Sequence, residues 1–100
     1  MKPNTAPIDE LTAEHFARAI PAQAHRRFLR GLFESAEDIV LLRKYLALTQ
    51  VEFARAMGIS VHTLRNWEQG RRFPEGPALA LLRIAARHPR ILRESIRPAA

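Results

Sequence analysis

Residues 48–70 have the sequence LTQVEFARAMGISVHTLRNWEQG, which predicts two short helices joined by a tight turn. We expect the first helix to begin at Thr49, with Glu52 at the capping-box position three residues later. Gly58 stands where a helix end favours a residue that tolerates left-handed backbone angles. Apolar residues recur at helical spacing in this first helix, namely Val51, Phe53, Ala54 and Met57.

The second helix of this stretch is expected to begin after Ser60, which is a good N-cap residue. Its core-facing stripe has three-residue spacing and consists of Val61, Leu64 and Trp67. A helix, a short turn with Gly and a second capped helix form a helix-turn-helix unit, whose second helix can enter the DNA major groove. An ordinary pair of helices within a bundle fits the same pattern. Arg65 and Asn66 on the polar faces favour DNA, because these side chains make bidentate contacts to guanine and adenine.

The run TQVEFARAMGISVHTLRNWEQGRR at 49–72 follows LRKYLAL at 42–48 and precedes PEGPALALL at 74–82. Across residues 39–88 this pattern resembles the XRE family of DNA-binding domains, which includes Cro and phage repressors. The N-terminal extension and the run TLRNWEQGRRFPEGPALALL resemble the HigA-type antitoxins of type II toxin-antitoxin modules. Such antitoxins neutralise a HigB-like ribonuclease toxin of the RelE superfamily and repress their own operon. The resemblance implies an all-α fold, with a five-helix lambda-repressor-like helix-turn-helix domain and a short N-terminal helical arm.

The chain has 16 Lys and Arg against 10 Asp and Glu, and its net charge is +6. Residues 36–100 carry 11 basic and 6 acidic side chains, so a charge of +5 belongs to the part with the predicted helix-turn-helix. This sign fits a polyanionic partner. The sequence has no Cys, which excludes disulfides and thiolate metal sites. No apolar run approaches the roughly 20 residues of a membrane span, so we expect a cytoplasmic protein. The predicted DNA binding would associate it with the nucleoid.

The residues of the chain give no support for catalysis. Its four His residues are scattered and form no metal-binding pair at helical spacing. No sequence motif for a nucleophile with its base is present, and no Gly-rich loop that holds phosphates. The sequence therefore predicts that the protein is not an enzyme and binds neither a metal nor a cofactor.

Two parts of the chain are expected to have different roles, an N-terminal arm at 1–34 and the XRE-type domain at 35–97. In the arm, one short helix is predicted after Thr12 and a second after Pro21, ending at Gly31. The arm is interpreted either as a packing extension of the core or as a segment that binds a toxin or stabilises a dimer. The second interpretation rests on apolar residues that lie beside three Arg residues, namely Phe28, Leu29, Leu32 and Phe33.

The domain at 35–97 is expected to begin with a helix capped by Ser35. After a loop at 71–76, Pro77 fits the first position of the next helix. A last short helix is predicted from Pro89 to about Ile96. This last helix either closes the core of the domain or forms the contact of a homodimer.

The resemblance assigns DNA-binding roles to the residues of the helix pair. In related domains the residues matching Thr49 and Gln50 hold a phosphate, at the positive end of a helix. The base-facing positions begin at the start of the second helix and match Ser60, Val61, His62, Arg65 and Asn66. Of these, Asn66 is suited to adenine, and Arg65 to guanine or a phosphate. The residues that follow are expected to contact the DNA backbone, namely Gln69, Arg71 and Arg72.

In the XRE family a basic residue at the position of Arg43 pairs with the acidic residue at the position of Glu68. We therefore expect an ion pair between these two side chains that is at least partly buried. A single module buries too little surface to be selective in a genome, so a homodimer on an inverted-repeat operator in double-stranded DNA is expected. Two functions remain open, an autoregulatory antitoxin with a RelE-type or HigB-like toxin partner, and a stand-alone XRE regulator without a toxin.

Overall fold

The computed structural model describes residues 20–96, which form six helices and no strand. In chain order the helices are α1 (Ala22–Leu29), α2 (Ala36–Tyr45), α3 (Gln50–Met57), α4 (Val61–Glu68), α5 (Pro77–Arg87) and α6 (Pro89–Glu94). The expected all-helical fold is confirmed, with five helices after residue 35 and one helix before it. The helix predicted after Thr12 lies outside the described residues. None of the helices within 20–96 is long and apolar enough to span a membrane.

Local capping chemistry sets the ends of the central helices. Thr49 and Glu52 form the predicted capping box, since Glu52 N donates to Thr49 Oγ1 at 3.1 Å and Thr49 N donates to Glu52 Oε1 at 2.9 Å. Gly58 ends α3 in the left-handed conformation at φ +71°. Ser60 caps α4 and Ser35 caps α2, in both cases by accepting from the backbone N–H three residues later. These predictions are confirmed.

One hydrophobic core connects the helices. Its side chains with no exposed surface come from five of the six helices and the residue after α2, namely Phe28, Ile39, Leu42, Leu46, Phe53, Leu64, Leu82 and Ala85. The prediction that Val51 belongs to the apolar face of α3 is wrong, because this side chain is 53% exposed. Val51 precedes Phe53 by two positions, which at about 100° per residue turns it to the opposite face of the helix.

Helix α1 packs into this core against α5. Phe28 and Phe33 are buried, and their ring centroids are stacked 4.6 Å apart. Arg87 of α5 donates from Nε to the carbonyl oxygen of Leu29 at 2.8 Å, at the C-terminal end of α1. The burial of Phe28 and Phe33 shows that the interpretation of these two residues as part of a partner surface is wrong. For these two residues the packing alternative holds.

An ion pair also connects α1 to the start of α2. Arg27 donates to both carboxylate oxygens of the buried Asp38, at 2.7 and 3.0 Å, and lies 3.1 Å from the Glu34 carboxylate. The backbone N–H of Glu34 donates to Asp38 Oδ2 at 2.7 Å. Burial alone would raise the pKa of the Asp38 carboxyl, but these hydrogen bonds outweigh it and hold the pKa below its ordinary value.

Helix α6 buries a charged side chain in the core and exposes an apolar side chain to solvent. Arg93 is buried and donates from Nη1 to the carbonyl oxygen of Leu46, just after α2. Ile91 is 63% exposed, whereas Leu92 and Ile96 are half-buried against the core. The helix thus closes the core through part of its apolar surface and leaves Ile91 uncovered.

Helix α2 ends in an unusual backbone conformation. Ala47 has φ +56° and is the one residue other than Gly with positive φ in the described part of the chain. Its N–H donates to Lys44 O at 3.0 Å, and the next N–H, of Leu48, donates to Arg43 O at 3.3 Å. This pattern satisfies the last carbonyl groups of the helix.

Candidate nucleic-acid interface

Helices α3 and α4 are held at a fixed angle by a short turn and by buried side chains. The Gly58 N–H donates to Arg55 O and the Ile59 N–H donates to Ala54 O, at 3.2 and 3.0 Å. Ile59 packs against the core, as do Leu64 and Trp67 on the inner face of α4. The opposite face of α4 is therefore directed away from the core.

Most of the residues predicted to bind DNA lie on this outer face, at the start of α3 or in the segment after α4, whereas Val61 packs partly against the core, as predicted for the core-facing stripe of α4. Among the predicted residues after position 61, five have exposed side chains, namely His62, Arg65, Gln69, Arg71 and Arg72. Gln50, Val61 and Asn66 are half-buried, and Thr49 and Ser60 are exposed. The fold thus brings all ten to the region formed by α3, α4 and the following loop.

The two residues of this set that carry a hydroxyl group, Ser60 and Thr49, already use it inside the protein. Ser60 Oγ accepts from Thr63 N at 3.0 Å and donates to Thr63 Oγ1 at 3.0 Å. Thr49 Oγ1 accepts from Glu52 N as part of the capping box. Both hydroxyl groups therefore shape helix starts, and a DNA contact from either residue would have to share its oxygen.

The loop after α4 folds back onto the helix. Gly70 has φ +76°, and the N–H groups of Arg71 and Arg72 both donate to the carbonyl oxygen of Asn66, at 2.9 and 3.3 Å. A Cβ atom on Gly70 would lie 3.8 Å from the Ala36 side chain, so this turn is close to the start of α2. The backbone thereby fixes where the two exposed arginines leave the end of α4.

A polar network lies under the outer surface and connects α2, α3 and α4. Arg43 donates to Glu68 through Nε at 2.8 Å and through Nη2 at 3.1 Å. Gln50 Nε2 donates to Glu68 Oε1 at 3.1 Å, and Arg65 Nε donates to Gln50 Oε1 at 3.3 Å. The exposed fractions of the Arg43 and Glu68 side chains are 19% and 7%. The network therefore runs from the protein interior to an exposed guanidinium group.

The outer surface of this region is positively charged. Residues 49–72 contain four Arg and two Glu. Glu52 is bound in the capping box and Glu68 is neutralised by Arg43. Within residues 20–96, no carboxylate pairs with Arg65, Arg71 or Arg72. Uncompensated guanidinium groups of this kind are suited to phosphates of a nucleic acid.

A second basic feature lies on α1, where a groove of about 420 Å³ is lined by Gln23, Arg26, Arg27 and Arg30. Arg27 is neutralised by Asp38 and Glu34, whereas Arg26 and Arg30 are exposed and pair with no carboxylate of the described residues.

No group of three His, Cys, Asp or Glu side chains that could hold a metal ion occurs in the part of the chain described.

Comparison with known proteins assigns the chain to a class, the antitoxin components of bacterial toxin-antitoxin systems. The chain belongs to the MqsA antitoxin family, whose sequence model matches residues 8–97. Antitoxin HigA-2 of Vibrio cholerae serotype O1 is 43% identical over 58 residues, covering 58% of this chain and 56% of that protein. Antitoxin MqsA of Escherichia coli K12 is 38% identical over 72 residues, covering 72% of this chain and 55% of that protein. The chain thus spans about half the length of these relatives.

Three features of this region were not predicted from the sequence. The contact between Gln50 and Arg65 joins residues 15 positions apart, and no local pattern indicates it. The use of Glu68 as an acceptor for Gln50 likewise depends on how α3 and α4 pack. The fold-back of the loop onto Asn66 had one signal in the sequence, Gly70, which allows positive φ.

Proposed function

We propose that the chain is a DNA-binding antitoxin that represses its own operon and neutralises a toxin of the RelE superfamily. The observation that carries the DNA-binding part is the outer face of α4, where exposed polar and basic side chains are supported by a buried ion pair. Membership of the MqsA antitoxin family supports the antitoxin part. The proposal includes no catalytic step. Such a protein acts in the cytoplasm, at the nucleoid.

We assign different tasks to the residues of the α3–α4 region. Side chains at the start and middle of α4 contact bases in the major groove, namely Val61, His62 and Asn66, with Ser60 beside them. Side chains at the start of α3 and after α4 contact the DNA backbone, namely Thr49, Gln69, Arg71 and Arg72. This division predicts separate effects on sequence preference and on overall affinity.

The working unit in this proposal is a homodimer on an inverted repeat. Three apolar side chains of α5 and α6 remain exposed at 42%, 44% and 63%, namely Leu81, Ile84 and Ile91. Exposed apolar groups on neighbouring helices are suited to a two-fold contact between identical chains. Sedimentation should report a dimer that Ile91→Glu converts to a monomer, while Leu32→Glu on the arm leaves it intact. A wild-type monomer that binds operator DNA at nanomolar concentration contradicts this part.

The toxin contact is assigned to residues 1–34, and DNA binding to residues 35–97. Because Phe28 and Phe33 are buried, the described part of the arm offers other side chains to a partner, namely Arg26, Arg30 and Leu32, which is 41% exposed. A stand-alone XRE regulator without a toxin is the outcome if the product of the neighbouring gene does not bind.

The test begins with fluorescence anisotropy on the DNA immediately upstream of the chain's own operon and on scrambled DNA, at about 150 mM salt, where non-specific binding is weak. Preferential binding to the upstream DNA is expected. Equal, weak binding to both DNAs contradicts autorepression by the protein alone. Copurification with the product of the neighbouring gene then tests the antitoxin function. Arg26→Glu and Arg30→Glu, made singly, are each expected to weaken the complex, and Arg55→Glu is the charge-matched control for each.

A further inference from the structure

We infer that Arg65 binds a phosphate of the DNA backbone rather than a base, and that Gln50 is the residue that positions it. This inference rests on the proposed DNA binding and identifies the ligand of one side chain. From its chemistry alone Arg65 is suited to guanine or to a phosphate, and the resemblance to the XRE family implies a phosphate contact for Gln50 itself.

The side-chain amide of Gln50 has one orientation that satisfies both of its neighbours. A carboxylate only accepts hydrogen bonds and a guanidinium only donates them. The NH₂ group of Gln50 therefore faces Glu68, at 3.1 Å, and its oxygen faces Arg65 Nε, at 3.3 Å. Because both ends of the amide are engaged inside the protein, Gln50 is better suited to orient Arg65 than to bind DNA through its side chain.

The support for this amide reaches into the interior. Glu68 is 7% exposed and is held through both carboxylate oxygens by Arg43. Arg43 in turn donates from Nη1 to the carbonyl oxygen of Leu48 at 3.2 Å, just before α3. The position of Arg65 Nε is thus tied to α2, α3 and α4 together. Its remaining four N–H donors, on Nη1 and Nη2, stay available to a ligand.

The direction of Arg65 favours a phosphate. Its guanidinium leans from α4 toward the first residue of α3, since Gln50 begins that helix. When a helix-turn-helix unit docks on DNA, the second helix lies in the major groove and the first crosses the backbone. A guanidinium group drawn toward the first helix is therefore directed to the backbone, and its planar fork fits two phosphate oxygens.

The main experiment measures binding of Arg65→Ala to operator and scrambled DNA over a range of salt concentrations. A lost phosphate contact weakens binding to both DNAs by the same factor and lowers the slope of log affinity against log salt by about 0.9. Arg55→Ala is the control, because it removes an exposed positive charge of α3 outside the proposed contact surface. Its slope should equal that of the wild type.

Gln50→Ala tests the positioning role. It should weaken binding in the wild-type background and have little further effect in the Arg65→Ala background. Arg65→Lys should keep the salt slope but lose its dependence on Gln50, because Lys has no Nε–H group for the amide. In NMR spectra of the free protein, the Arg65 Nε–H signal should exchange faster with water in Gln50→Ala than in the wild type.

Each other result overturns a defined part of the inference. If Arg65→Ala relaxes the preference at one base pair and leaves the salt slope unchanged, Arg65 contacts a base. If the effects of Gln50→Ala and Arg65→Ala add, or the Nε–H exchange is unchanged, Gln50 does not position Arg65. If the wild type binds no DNA, the proposed function fails and the phosphate assignment fails with it, while the exchange measurement still tests the contact between the two side chains.

Discussion

Arg43 in α2 and Glu68 in α4 lie 25 positions apart in the chain, and two hydrogen bonds of 2.8 and 3.1 Å connect their side chains. This pair attaches the helix proposed to enter the major groove to α2, the first helix after residue 35. The same carboxylate accepts from Gln50 of α3, so three helices meet at one buried charge.

Removing either partner of this pair should destabilise the fold. Glu68→Ala leaves the Arg43 guanidinium without its carboxylate in a largely buried position, and we expect a loss of about 3 kcal/mol in the free energy of unfolding. Urea unfolding of Glu68→Ala, Arg43→Ala and the double variant measures the coupling between them. Glu75→Ala, in the exposed loop before α5, is the control and should change stability by less than about 0.5 kcal/mol. Purely additive losses contradict the coupling.

The buried Asp38 should make stability depend on acidic pH. Its pKa in the folded protein lies below the value of about 3.9 expected in the unfolded chain. The ionised carboxyl therefore contributes stability above that unfolded value, and the contribution is lost as pH falls through the lower folded pKa. Asp38→Asn should cost about 1.5 to 3 kcal/mol at pH 7 and should flatten the fall in stability as the pH drops below about 4.

The control for this prediction is Glu37→Gln, which changes the neighbouring exposed carboxyl. Chemical unfolding at several pH values compares the three proteins. If Asp38→Asn and the wild type lose stability in parallel as pH falls, the carboxyl of Asp38 is not the group responsible.

Replacing Ala47 with Gly should stabilise the fold, whereas replacing Gly58 with Ala should destabilise it. Ala47 adopts φ +56°, a left-handed conformation that costs a residue with a Cβ atom roughly 1 to 2 kcal/mol. Ala47→Gly removes this cost and should stabilise the fold by about 0.5 to 1 kcal/mol after the extra backbone entropy of Gly. Gly58→Ala should destabilise it by about 1 kcal/mol through backbone strain alone, because a Cβ atom there meets nothing within 4 Å. Thermal unfolding of both variants measures the two signs, and equal signs contradict the argument.

Asn66 and Arg72 should affect DNA binding in different ways. Asn66→Ala is expected to relax the preference at one base position by about 1 to 3 kcal/mol, because it removes contacts to a base edge. Arg72→Ala should weaken binding to every sequence alike and lower the salt slope by about one unit. Competition with single-base operator variants separates the two effects. The division of roles is wrong if both substitutions change the same property.

Short-range chemistry made much of the fold predictable. The ends of α3 and the start of α4 follow from Thr49, Gly58 and Ser60, because each acts on backbone groups within a few residues of itself. The resemblance to the XRE family added the expected proximity of Arg43 and Glu68, which the structure places 2.8 Å apart. The DNA-binding roles of the surface residues stay predictions.

Features that depend on packing between distant segments were not predictable. Arg93 resembles an exposed residue of a basic helix, yet it is buried against the end of α2. Ile91, two positions earlier, resembles a core residue and is exposed. Packing against the end of α2 decides which face of the six-residue α6 is buried, and local periodicity over six residues carries too little information to predict it.

The packing of α1 against α5 has a consequence for dissecting the protein into fragments. A cut between residues 34 and 35 separates the proposed toxin-binding and DNA-binding parts, but it also removes Phe28 and Phe33 from the core. The shortened piece would expose the apolar surface of α5 that these rings cover and leave Asp38 without Arg27. The two proposed activities are therefore best separated by point substitutions in the full chain, since the boundary between them in function does not coincide with a boundary in folding.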